Sequence, residues 1–133
     1  MTRLACRRGD RLPELALDPV GQVEIEAYTR VSGDNNPLHR DPAYAVRLGI
    51  AEPPLPGLLV LAQFPRLLAA WDCPHTLRDL QAQFLRPIPV ATPVQLTGRV
   101  AQVNGNGDAA ILRLSARVGD RLVVAAEATI GPA

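Results

Sequence analysis

The spacing of apolar residues changes character midway along the chain. From residue 76 onward, "TLRDLQAQFLRPI" (76–88), "PVQLTGRVAQVN" (93–104), "AAILRLSARV" (109–118) and "RLVVAAEATI" (121–130) alternate apolar and polar positions. Val94, Leu96, Gly98 and Val100 fall on one face, as do Leu112, Leu114, Ala116 and Val118. "NGNGD" (104–108) and "GD" (119–120) have the residues that tight hairpins demand. The pattern predicts four strands in an antiparallel meander.

The first half reads differently. "GDRLPELAL" (9–17) is a turn followed by an extended segment, and Pro13 confines it to an edge or an irregular strand. Gln22 to Val31 predicts a helix capped by Gly21, with Ile25, Tyr28 and Val31 at near-helical spacing. The alternation of Val23 and Ile25 leaves a short strand as the competing reading. "DPAYAVRLG" (41–49) is a short helix, with Asp41 as N-cap, Pro42 at the first position and Gly49 past the end. "IAEPPLPG" (50–57) cannot be regular, because its three prolines remove donors and fix φ. "LLVLAQFPRLLAAW" (58–71) is apolar nearly all round, as expected of a helix buried on most sides. Pro65 inside it predicts a kink, or a helix start displaced by a turn. One sheet with one apolar face needs a cover, and 58–71 is the segment able to provide it. A sheet wrapped around a helix follows, with a second subunit completing the burial.

A length of 133 residues suits one domain, 1–133, built on one core. A formal net charge of +1 offers no field for nucleic acid or an anionic membrane. No apolar run reaches membrane-span length, and the start lacks a secretory h-region. All 14 basic residues are arginine, so lysine Schiff-base chemistry is excluded. Cys6 and Cys73 show no metal-ligand spacing and read as free thiols in a reducing, cytoplasmic setting. Asp72, Cys73 and His75 lie on one loop with no distant fourth ligand, so neither a metal nor another cofactor is implied.

One stretch stands apart. "SGDNNPLHRD" (32–41) packs acids, amides and one of two histidines into ten positions. Turn chemistry accounts for Ser, Gly, Asp, Asn and Pro but not for His39. A carboxylate and an imidazole on one short loop can converge on a single water: Asp34 and His39 are suited to general acid–base work. Asn36 between them can hold a side chain by hydrogen bonds. Arg40, Arg66 and Arg86 are candidate phosphate contacts, and Glu52 is a candidate for the site entrance.

"YTRVSGDNNPLHRDPAYA" resembles the hydratase signature of the MaoC-like family of (R)-specific enoyl-CoA hydratases and (R)-3-hydroxyacyl-thioester dehydratases. Tyr28, Ser32, Gly33, Asp34, Asn36, Pro37, His39, Asp41 and Ala45 match its pattern. "GDRLPE" near the start, Gly57 before an apolar helix and "QFLRPI" (83–88) extend the likeness over roughly residues 9–130. The resemblance implies an α+β hot-dog fold, an antiparallel sheet around a long central helix. It implies Asp34 and His39 as the catalytic pair, Asn36 as a residue that orients them and Gly57 as a backbone donor to the thioester carbonyl. It also implies an enoyl- or 3-hydroxyacyl thioester of CoA or acyl carrier protein as substrate; the open sheet edge and the apolar helix predict a homodimer or higher oligomer. Pro56-Gly57-Leu58 departs from the family's usual His-Gly-Met, and Pro65 departs further on. Both point to an altered acyl pocket, with Pro65 kinking the helix or lining the channel. The rival readings are a hot-dog thioesterase, against which the Asp34–His39 loop argues, and a non-catalytic acyl-binding subunit of a heteromeric dehydratase.

Overall fold

The computed structural model describes residues 3–133. Five strands form one antiparallel sheet: β1 (Leu15–Leu17), β2 (Thr76–Phe84), β3 (Val94–Val103), β4 (Ala110–Val118) and β5 (Arg121–Gly131). Their order is β1-β3-β4-β5-β2. The three C-terminal strands form the expected meander. The expected fourth member does not sit beside β3: β2 pairs with β5, Leu80 opposite Ala128 and Phe84 opposite Val124. The link 85–93 explains this correction. It carries Pro87, Pro89 and Pro93, which cannot form a ladder across a tight hairpin, so the chain crosses to the opposite edge of the meander.

Alternation decides the two faces of the sheet. Leu96 and Val100 of β3, Leu112, Leu114 and Ala116 of β4, and Val124, Ala128 and Ile130 of β5 are buried. The intervening Thr97, Arg99, Arg113 and Ser115 face the other way.

Helix α1 (Gln22–Ser32) starts where the Glu24 carboxylate accepts the Gly21 N–H at 3.0 Å. It ends at Gly33, whose φ of 75° is left-handed. Only Ile25 of this helix is buried, and Val31 is 90% exposed. Helix α2 (Pro42–Arg47) has the expected N-cap: Asp41 Oδ1 accepts the N–H groups of Ala43 (3.0 Å) and Tyr44 (3.3 Å).

The central segment is where the expectation of one long helix is corrected. It consists of two short helices, α3 (Gly57–Leu61) and α4 (Phe64–Ala69), of which Pro65 occupies the first turn. Pro65 has no N–H to give Leu61, the i−4 carbonyl, so the helix cannot run through. Tighter turns take over, with Gln63 N–H bonding Val60 O at 2.9 Å and Arg66 N–H bonding Gln63 O at 3.0 Å. The Gln63 side chain donates to Leu59 O at 3.2 Å. The segment still fills the core: Val60, Phe64, Leu67 and Leu68 are at most 2% exposed. Gly98 of β3 gives α4 its close approach. A Cβ there would lie 2.7 Å from Leu114 Cδ2 and 3.5 Å from Leu67 Cδ2.

Burial along this segment sets stability. Phe64→Ala, at 0% exposure, should cost about 3–5 kcal/mol. Val31→Ala in α1, at 90% exposure, should stay within about 0.5 kcal/mol. Urea unfolding of both variants measures the contrast, and equal losses would show that the core does not run along this segment as described.

Candidate active site

The signature loop is built by local hydrogen bonds. Gly33 turns the chain out of α1, and Ser32 Oγ accepts the Asp34 N–H at 3.0 Å. Asp34 Oδ1 accepts the Asn36 N–H at 3.2 Å. Asn36 Oδ1 in turn accepts the Leu38 N–H at 3.0 Å and caps the 3₁₀ turn Pro37–His39. Asn36 thus steadies both partners, but through its backbone on Asp34 and through its cap on the turn carrying His39. Among the described residues its side chain bonds the Leu38 N–H and not the side chain of Asp34 or His39.

His39 is tied to a distant segment. Its Nδ1 lies 2.9 Å from the carbonyl oxygen of Pro54. A carbonyl only accepts, so Nδ1 carries the proton in this bond and Nε2 is left with its lone pair. Nε2 stands 3.9 Å from Asp34 Oδ2. That is beyond a direct hydrogen bond, while a water about 2.8 Å from each atom spans it. His39 is 13% exposed and Asp34 is 35% exposed at the side chain, so the pair is sheltered yet reachable.

A cavity of ≈ 370 Å³ opens beside the pair. Asp34, Tyr28 and Leu38 contribute one wall, and Pro54, Leu55, Gly57 and Leu58 a second. The third is the end of β2 and the link after it, from Phe84 to Ile88. Gly57 opens α3, and its N–H makes no hydrogen bond among the described residues, as is usual for a first-turn donor. Phe84 packs on it so closely that a Cβ at 57 would lie 2.7 Å from the ring. The sequence reading left Phe84, Leu85 and Ile50 out of the site. The signal for the first two was "QFLRPI", which registers as a strand end and not as a wall.

The remaining candidates separate. Arg86 lines this cavity. Arg66 lies with Glu24 and Gln63 in a different one, of ≈ 240 Å³. Arg40 bonds Asn35 O at 3.3 Å. Glu52 is exposed and Pro65 is exposed at the start of α4, and neither lines the cavity beside Asp34. Pro65 breaks the helix, then, without forming the channel wall there. His75 Nδ1 bonds Cys73 O at 2.8 Å and its ring leans on Trp71, with centroids 5.5 Å apart. Cys6 and Cys73 are free and buried. Burial first, and then the neighbouring Cys73, push the Cys6 thiol up to about 11, which suits a core group and not a nucleophile. Among the described residues no group of three or more His, Cys, Asp or Glu gathers as metal ligands.

Residues 9–115 match the family described as MaoC like domain. The (R)-specific enoyl-CoA hydratase of Aeromonas caviae is 31% identical over 114 residues, covering 83% of this chain and 84% of that one. A mitochondrial 3-hydroxyacyl-[acyl-carrier-protein] dehydratase of Arabidopsis thaliana is 45% identical over 47 residues. That match spans 35% of this chain and only 28% of the plant protein. The solved (R)-hydratase from A. caviae involved in PHA biosynthesis superposes with a TM-score of 0.83 at 25% identity, over 97% of this chain and 98% of that one.

The Pro54 contact fixes a tautomer, and that is measurable. Long-range ¹H–¹⁵N NMR of the neutral imidazole should show His39 protonated at Nδ1 and bare at Nε2. A dominant Nε2–H form would contradict the geometry.

Proposed function

The chain belongs to the MaoC-like domain family, and we propose that it is a hydratase/dehydratase interconverting trans-2-enoyl and (R)-3-hydroxyacyl thioesters. CoA or acyl carrier protein carries the acyl group. The observation that supports this most directly is the 3.9 Å gap between His39 Nε2 and Asp34 Oδ2, beside a cavity bounded by the free N–H of Gly57.

The chemistry follows from these parts. Two acceptors, the Nε2 lone pair and a carboxylate oxygen, hold both protons of one water and leave its lone pairs free. The water oxygen bonds to C3 of the enoyl thioester as the pair takes up a proton. The electrons of the double bond move to the thioester oxygen, where the Gly57 N–H meets developing negative charge. A proton returns from the pair to C2, so the site is restored and one water is consumed. Dehydration is the reverse. The Pro54 carbonyl keeps the imidazole turned so that Nε2, not Nδ1, takes part. Pro56 has no N–H, so the first donor at this helix start is that of Gly57.

Asp34→Asn and His39→Ala should each lower hydration about 10²- to 10⁴-fold while the fold survives, since both groups lie on a surface loop. The assay follows loss of enoyl-thioester absorbance from crotonyl to dodecenoyl substrates on both carriers. Near-normal turnover in either variant would sink the assignment of that residue. Release of free thiol without loss of the double bond would point to a thioesterase.

A homodimer is part of this reading. Leu58 at 57% and Phe84 and Leu85 at 47% exposure ring the cavity, and β2 ends the sheet with one unpaired edge. A second copy of the chain covers both. Sedimentation should give a dimer at micromolar concentration; a fully active monomer would exclude it. The two free cysteines support a reducing, cytoplasmic setting.

A further inference from the structure

The face of the sheet turned away from α3 and α4 carries a row of like charges. Arg11 bridges to Arg99, and Arg99 stands directly opposite Arg113 of β4. Glu127 follows on β5. Like charges opposite one another across strands are destabilising, and none of these arginines forms an ion pair among the described residues. Arg117 lies further along the same face, and its Nη1 reaches only Asp120 O at 3.4 Å.

These side chains enclose a trough. Arg11, Arg99, Arg113 and Arg117 line a hollow of ≈ 320 Å³ together with Thr97 and Ser115, whose hydroxyls meet at 2.6 Å. Arg99 and Arg113 also line an adjoining hollow with Arg8, so the two guanidiniums stand on the ridge between them. Neighbouring strands lie about 4.8 Å apart, so these long side chains can converge on one small polyanion. Planar guanidinium forks match phosphate oxygens in pairs, and the hydroxyl pair, one O–H of which is spent on the other, adds one neutral donor. The overall charge of +1 makes the concentration of cations local. That favours a compact polyanion over a long nucleic-acid track.

We propose that this strip binds the diphosphate group of a nucleotide, at a site separate from the Asp34–His39 cavity and independent of the hydration reading. Two sources share that chemistry, a free nucleoside diphosphate and the CoA moiety itself. The probes are inorganic pyrophosphate, ADP and CoA, titrated calorimetrically at low ionic strength into wild type, Arg99→Gln/Arg113→Gln, Arg117→Gln and, as control, Arg121→Gln. Wild type and Arg121→Gln should bind pyrophosphate, more weakly as salt rises. The double variant should lose at least tenfold, and Arg117→Gln should lose part of the affinity. The same loss for ADP assigns the strip to free nucleotides; the same loss for CoA alone assigns it to the thioester carrier. All three effects are read on exposed side chains, and thermal melting confirms that each variant is folded. Absence of pyrophosphate binding in wild type, equal binding by the double variant, or binding confined to a DNA duplex would each overturn the proposal.

Discussion

The Pro54 carbonyl is the point on which the candidate site turns. Proline cannot donate, but its oxygen remains a full acceptor, and here it holds His39 Nδ1 at 2.9 Å. The next residue continues the chain of contacts: Leu55 N–H bonds Ile88 O at 2.7 Å, and Pro54 bridges to Pro89. Three stretches distant in sequence, the signature loop, the approach to α3 and the link after β2, are therefore fastened at one place. They are the three walls of the cavity. His39, Gly57 and Phe84 share a frame because one imidazole–carbonyl bond and two backbone contacts fasten these stretches together.

This frame accounts for the tolerance of the fold to a broken central helix. Pro65 removes one intrahelical bond, yet Phe64, Leu67 and Leu68 remain buried under β3. Packing, not helical continuity, keeps the segment in place. The break falls after the first turn, so Gly57 lines the cavity at the start of α3 while Gly98 leaves room for Leu67 of α4.

Much of this was legible in the chain. Period-two alternation marked every long strand, and Asp41-Pro42 and Gly49 marked the ends of α2, because these are local signals tied to local geometry. Asp34 and His39 stood out since the turn preferences that explain their neighbours do not explain an imidazole. What escaped was non-local. Alternation says that 76–84 is a strand but not which strand lies beside it; only Pro87, Pro89 and Pro93 hinted that the next one was excluded. The His39–Pro54 bond spans 15 residues between two irregular loops, and no periodicity encodes such a contact. For Asn36 the residue type announces hydrogen bonding, while the local turn decides which of its groups is used.

The crossing of β2 to the far edge of the sheet bears on how the protein is made. The signature loop precedes β2 along the chain, but β2 has no ladder until β5 has emerged to pair with it: Thr76 waits for Gly131. Strand β1 likewise waits for β3, with Leu15 opposite Leu96. Contacts of this range are slow to form, and domains generally fold as units during synthesis. A nascent chain therefore carries an unpaired strand from the synthesis of β2 until that of β5, and the cavity wall that β2 supplies is fixed only then.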